Sequence, residues 1–167
     1  MAADAEGAST ARVRAALLAA GHEDTIVAFP EGTRTSEDAA AAVGCHVAQI
    51  AKSMIFRLRA GETARPILVL TSGANRVDAA RIAATLGAAV KRADAAWVRD
   101  TTGFAIGGVS PVGLLTKPIT LLDEDLMPLD PLWAAAGSSH HVFRTTAGDL
   151  VRLTGAKVVA VRQEGIS

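Results

Sequence analysis

The sequence predicts a mixed α/β fold, a single domain whose short strands and helices alternate irregularly around a curved, barrel-like mixed β-sheet with flanking helices. Three observations carry that reading. A chain of 167 residues, half of them hydrophobic and a fifth charged, has the size and composition of one globular unit with a real core. Its apolar periodicity switches repeatedly between the helical and the strand period. No fixed-period repeat and no linker divides it, so residues 1–167 read as one domain.

The elements follow in order. Val13, Ala16, Leu17 and Ala20 make one apolar stripe over a helix at 10–20, with Gly21 as its stop. The β-branched run 25–29, closed by Pro30, is a strand. Thr35, with Asp38 three residues on, starts a helix in two pieces broken at Gly44, with Val43, Val47, Ile50 and Ala51 inward. From Lys52 the period becomes two: Lys52, Met54, Phe56 and Leu58 share one face, and Ser53, Ile55, Arg57 and Arg59 the other. With Gly61 in a polar turn and the apolar run 66–71 beyond it, this is an antiparallel hairpin near the centre of the sheet. A helix at 77–86 stops at Gly87; a brief strand at 88–92 and a short helix at 93–99 follow. Residues 102–113 are a glycine-rich loop, and strands at 119–122 and 132–135 flank a turn. Thr146 caps a last helix with Asp149 three residues on, Gly155 ends it, and 158–161 is the closing strand.

Charge and cysteine usage narrow the function. Seventeen basic residues cancel seventeen acidic ones, which excludes a general polyanion or DNA binder but not a patch that grips one end of an RNA. Cys45 is alone, so there is no internal disulfide and no CxxC pair. No apolar run approaches the roughly 20 residues of a membrane helix. Asp4 and Glu6 precede the first Arg, and 15–20 is too short for a signal segment. The expectation is a cytoplasmic protein that meets no membrane.

Several familiar chemistries are missing. The glycine loop lacks GK[ST], and its place late in the chain argues against a dinucleotide site. Gly108-Val-Ser110-Pro111-Val-Gly113 is one residue too long for a nucleophile elbow. Cys45 and His46 are neighbours and would not face each other on a helix. His140 and His141 lack a second ligand pair, so no metal and no cofactor is expected.

Lys52, the Gly107-Gly108 pair and His141 remain. Lys52 shares a face with apolar side chains; a buried ammonium needs an anionic partner or a ligand, whereas a lysine at a strand mouth reaches water. Gly107 and Gly108 are either turn residues or the place where backbone N–H groups approach a ligand oxygen. His141 reads as a loop histidine or as a site residue. A lysine, a donor loop and a histidine together suggest acyl-ester hydrolysis without a covalent nucleophile.

At these residues the sequence resembles the YbaK/ProX family of aminoacyl-tRNA deacylases, freestanding relatives of the editing domain inserted in bacterial prolyl-tRNA synthetase. Four blocks carry the resemblance. They are Thr35-Ser-Glu-Asp-Ala-Ala, Gln49-Ile-Ala-Lys52-Ser53, Val77-Asp78-Ala with Leu86-Gly87-Ala, and Thr102-Gly-Phe with Gly107-Gly-Val-Ser-Pro-Val-Gly113. The resemblance implies a trans-editing deacylase that hydrolyses the ester of a mischarged tRNA at its 3′ acceptor end. It implies Lys52 holding the terminal nucleotide, Gly107 and Gly108 in the carbonyl-binding loop, and His141 where some branches carry a functional histidine. Ser53, Met54, Val109, Ser110, Pro111, Gly113 and Ser138 are the expected substrate contacts. The segment Gly137-Ser-Ser-His-His141 departs from the cysteine-specific branch, so tRNA-Pro carrying a small or hydroxylated amino acid is the expected substrate. An aminoacyl-tRNA synthetase is a candidate partner, Arg57, Arg59 and Arg144 are candidate RNA contacts or plain surface, and the rival reading is a non-catalytic tRNA- or synthetase-binding module.

Overall fold

The computed structural model describes residues 7–60 and 63–164. The expected turn at Gly61 and the acidic start at Asp4 and Glu6 lie outside the described residues. The strands are β1 (Ile26–Ala28), β2 (Ile50–Ala60), β3 (Thr63–Ser72), β4 (Val90–Arg92), β5 (Ile119–Asp123), β6 (Leu132–Ser138), β7 (His141–Thr145) and β8 (Lys157–Val159). The helices are α1 (Ala8–Ala19), α2 (Ser36–Val43), α3 (Ala79–Leu86), α4 (Ala95–Thr102) and α5 (Ala147–Thr154).

One mixed sheet runs β1-β7-β6-β2-β3-β5-β8, with β4 also paired to β2. β2 and β3 form the expected antiparallel hairpin at its centre, Lys52 opposite Thr71 and Phe56 opposite Ile67. β3 pairs in parallel with β5, and β5 with β8. The sheet is not closed: β1 and β8 are its two edges, so the likeness to a barrel stops short of closure.

Both faces of the sheet are covered. On one, α1, α4 and α5 bury Val13, Leu17, Val98 and Leu150 against Ala51, Ile55, Leu68 and Ala134. On the other, Ile82 of α3 meets Phe56, Leu58, Ile67 and Val69, and Ala39 and Ala40 of α2 meet Ile50. This explains why β3 is apolar at successive positions: its 67–70 run is wholly buried on both sides.

The caps are where the sequence places them. Thr35 Oγ1 accepts from the Asp38 amide at 3.0 Å, and Thr146 Oγ1 accepts from the Asp149 amide at 3.1 Å. α2, α3 and α5 end at Gly44, Gly87 and Gly155 as expected. The second helical piece after Gly44 is only a 3-10 turn at Val47–Gln49, and Ile50 and Ala51 already belong to β2. The larger difference is at residues 136–145. The sequence reading ends a strand at 135 and leaves His141 in a loop; instead β6 continues to Ser138, turns at residues 139 and 140, and returns as β7. Gly137-Ser-Ser has loop composition because the hairpin carries a bulge between Ala135 and Ser138, with Gly137 at φ +96°.

Candidate functional site

The central strand β2 has one complete edge and one interrupted edge. Along β3 its pairing is continuous, but on the other side the ladder with β6 ends at Ala51–Ala134 and the ladder with β4 begins at Phe56–Arg92. Residues 52–55 therefore lie in a fork between β6 and β4. The Ile55 carbonyl points into this fork, where it accepts from the Ala93 amide at 3.2 Å, and by alternation the backbone groups of Ser53 point the same way. Ser53 Oγ is the one buried side-chain polar atom among the described residues without a hydrogen-bond partner. A hydroxyl taken from water and left unpaired costs roughly 1–3 kcal/mol.

The glycine loop is seated beside this fork. Phe104, Val109 and Val112 are buried in the same cluster as Ala51 and Ile55. Arg12 of α1 fixes both ends of the loop, donating from Nε to the Gly113 carbonyl at 2.6 Å and from an η nitrogen to the Gly103 carbonyl at 3.1 Å. Its guanidinium also lies 4.6 Å from the centre of the Phe104 ring. Gly108 touches β6 so closely that a Cβ there would sit 2.6 Å from Ser138 Cα. Its own N–H donates to the Ala105 carbonyl at 2.9 Å, closing a turn. The amides of Val109 and Ser110, in residues 3% and 0% exposed, find no acceptor among the described residues, and neither does that of exposed Gly107. Ser110 Oγ accepts from the Val112 amide at 3.2 Å, so its hydroxyl serves the turn, and Pro111 is buried behind it.

Ser138 and His141 meet at the same end of the sheet. His141 is buried, and its Nδ1 lies 2.7 Å from Ser138 Oγ, which also accepts from the His140 amide at 3.0 Å. His140 is exposed and packs on Gly32 instead, which settles which of the two adjacent histidines is turned into the molecule.

Lys52 is exposed at the mouth of β2, while Phe56 and Leu58 further along its face are buried. It has no anionic partner among the described residues, so the strand-mouth account describes it and the buried ammonium does not. By strand alternation its side chain leaves the face of β2 opposite Ala51 and Ile55, and therefore opposite the face on which the loop packs. Met54 is half-buried against the Phe56 cluster, and Ile55 is core.

Other candidates resolve into structure. The Arg57 guanidinium lies 4.8 Å from the Trp97 ring centre, while Arg59 and Arg144 are exposed. Burial pushes the Cys45 thiol above its ordinary pKa, away from a nucleophilic thiolate. A cavity of about 250 Å³ lies at the far end, between the C-terminal turn of α1 and the start of α5, and Arg144 is the one candidate that lines it. No three His, Cys, Asp or Glu side chains among the described residues gather as a metal site would require. No described helix is long and apolar enough to cross a membrane. Arg12 gave no signal in the sequence, because its role is to hold carbonyls 91 and 101 positions away.

Comparison with known proteins adds four findings. Residues 30–153 match the family model of the aminoacyl-tRNA editing domain. A solved structure provisionally assigned as a trans-editing enzyme for prolyl tRNA synthetase is 40% identical, with a TM-score of 0.88 over 96% of this chain and 100% of that one. Hypothetical protein APE2540 is 26% identical, with a TM-score of 0.83 over 91% of this chain and 99% of that one. The uncharacterized protein YwhH of Bacillus subtilis (strain 168) is 31% identical over 136 residues, covering 81% of this chain and 85% of that protein.

Proposed function

Because the chain belongs to the aminoacyl-tRNA editing domain family, as its sequence blocks implied, we propose that it is a trans-editing aminoacyl-tRNA deacylase acting in the cytoplasm. Its substrate is tRNA-Pro bearing a small or hydroxylated amino acid in place of proline. The observation that supports this best is the pair of amides in buried Val109 and Ser110, held by a stapled loop and without an acceptor among the described residues.

The chemistry needs little more than position and charge stabilisation. Water adds through oxygen to the ester carbonyl carbon, and the carbonyl electron pair moves onto its oxygen. Loop amides receive that developing oxyanion, each such donor being worth roughly 3 kcal/mol in comparable sites. The tetrahedral species collapses, the ribose oxygen leaves with the pair of the broken C–O bond, and it takes the proton given up by the attacking water. Free amino acid and uncharged tRNA result. Gly108 has a second task besides its turn: lacking a Cβ, it lets the loop lie on Ser138. Lys52, solvated and unpaired at the fork, supplies a cation for the terminal nucleotide's phosphate. Ser53, Met54, Pro111, Gly113 and Ser138 border the place where the aminoacyl group would lie.

A panel of mischarged tRNAs, assayed with the wild type and Lys52→Ala, tests the reading. Hydrolysis of at least one small or hydroxylated aminoacyl ester is expected, falling about 100-fold in Lys52→Ala. Tight binding of the acceptor end with turnover of no ester would identify the non-catalytic module instead, and undiminished activity in Lys52→Ala would remove the lysine from its role.

A further inference from the structure

Three cations stand on one face of the sheet beside the fork, and the described residues give none of them a carboxylate. Lys91 of β4 lies directly opposite Arg57 of β2, so the two side chains leave the same face, and Arg59 follows two residues on. Like charges opposed across a ladder repel. On its other side Arg57 faces Pro66, which is buried and apolar. None of the three cations makes an ion pair with a described residue. Asp94, three positions after Lys91, is engaged at the cap of α4, where its Oδ1 accepts from the Trp97 amide at 2.8 Å. Trp97 holds the Arg57 guanidinium 4.8 Å from its ring centre, which fixes the place of that charge without neutralising it.

We infer that Arg57, Lys91 and Arg59, with Trp97 under Arg57, form the surface that takes the sugar-phosphate backbone of the tRNA leading to its aminoacylated end. The inference rests on the deacylase reading above and adds the side from which the RNA arrives. The surface is continuous with the fork. It occupies the face of β2 from which Ala51 and Ile55 pack with the glycine loop, and Arg57 stands four residues from Ser53, about 13 Å along the strand. α4 joins the two parts, since it carries Trp97 in its first turn and runs into the loop at Gly103. A chain of net charge zero has no general field to draw in a polyanion, so a local group of unopposed cations is what can grip one end of an RNA. Arg57 and Arg59 offer forked donors to phosphate oxygens, and Lys91 a point charge. Contacts of this kind set the register of an RNA and read no base, which leaves the choice of amino acid to the fork.

Binding of uncharged tRNA-Pro to the full chain, followed by fluorescence anisotropy over a series of salt concentrations, tests the inference apart from turnover. Lys91→Gln, at an exposed side chain, and Arg57→Gln are each expected to flatten the slope of log affinity against log salt by about 0.7. The double variant should flatten it by about 1.4 and bind about tenfold more weakly at about 0.1 M salt. Arg57→Lys keeps the charge and should keep the slope. Arg144→Gln combined with Lys157→Gln removes two exposed charges elsewhere on the molecule and should leave slope and affinity as in the wild type. A wild-type slope in both Lys91→Gln and Arg57→Gln, or an equal flattening in the Arg144 and Lys157 pair, overturns the inference. If that result comes with hydrolysis of an ester by the wild type, the deacylase reading stands without this surface. The expected slopes together with turnover of no ester keep the surface and strike the deacylase reading.

Discussion

Asp123, at the end of β5, and Ser53, two strands away on β2, are polar residues that the same sheet takes largely out of water, and the chain treats them differently. Asp123 is wholly buried with both oxygens satisfied. Oδ2 accepts from Thr71 Oγ1 at 3.1 Å, the Ser72 amide at 3.0 Å and Asn75 Nδ2 at 2.8 Å, and Oδ1 accepts from the Asp125 amide at 2.9 Å. The network extends outward: Asn75 and then Arg162 hold the Asp125 carboxyl below the usual carboxylate range. Around Ser53 the described residues supply nothing comparable. Among the described residues its hydroxyl has no partner and the nearby loop presents amides without acceptors, and on the edge away from β3 the strand pairing stops on either side of it. A buried polar group completed by the chain itself belongs to the fold. Under the proposed function, the set left incomplete is the one that would meet the substrate.

Substitutions that separate activity from stability put that contrast at risk. The largest effect is expected for Gly108→Ala. Its Cβ would meet Ser138 backbone at 2.6 Å, and backbone cannot swing aside as a side chain tip can. The loop must lift, and an error near 1 Å in placing donors costs about 100-fold in kcat. Overpacking costs roughly 1–3 kcal/mol of stability as well. Steady-state kinetics beside a thermal melt read both quantities, and a fully active Gly108→Ala would detach the loop from the chemistry.

Asp123→Ala should show the opposite profile. It strands the donors of Thr71, Ser72, Asn75 and Asp125 at a buried position, for a loss of about 3 kcal/mol and a fall in Tm of roughly 6–12 °C. The protein that remains folded should keep its kcat. A kcat loss as large as that of Gly108→Ala would show that the two corners are one unit.

The contrast also explains what could be read from the sequence. The Asp123 side of the molecule is made of signals that are local: β2 and β3 show their periodicity, and Gly87 and Thr146 mark a helix end and a helix start within a few residues of the chain. The conspicuous residues of the candidate site, Lys52, Gly107, Gly108 and His141, are legible as residue types in an apolar or glycine-rich setting. Their arrangement is not. β7 escapes the sequence because His141, Val142 and Phe143 are buried at successive positions, so it lacks the alternation that announces a strand, and the bulge at Gly137 disguises the end of its partner β6. The fork exists only where β6 and β4 each pair with part of β2, and no short stretch of sequence encodes the gap between two partners. Arg12 and the tie from Thr10 Oγ1 to the Ala136 carbonyl, 2.8 Å long and 126 positions apart, are equally non-local. That Gly108 gives its N–H to Ala105, while the amides of Gly107, Val109 and Ser110 find no acceptor among the described residues, depends on the turn's dihedral angles, which composition does not set.

The smallest effect, and the most discriminating, belongs to Ser53→Ala. Removing an ordinary buried hydroxyl deprives its partner and costs stability; removing one with no partner relieves a penalty. The melt of Ser53→Ala should therefore match the wild type to within about 0.5 kcal/mol or rise slightly, even though the residue sits on the central strand. Its KM should nevertheless rise about 3–10-fold, the worth of one hydrogen bond to ligand. A clear destabilisation would mean that the hydroxyl is completed within the fold, as Asp123 is. An unchanged KM would mean that the substrate never reaches it. Either result erases the difference between the corners at the atom where it is most sharply drawn, because nothing else in the fork can report on ligand contact while leaving the packing of β2 as it was.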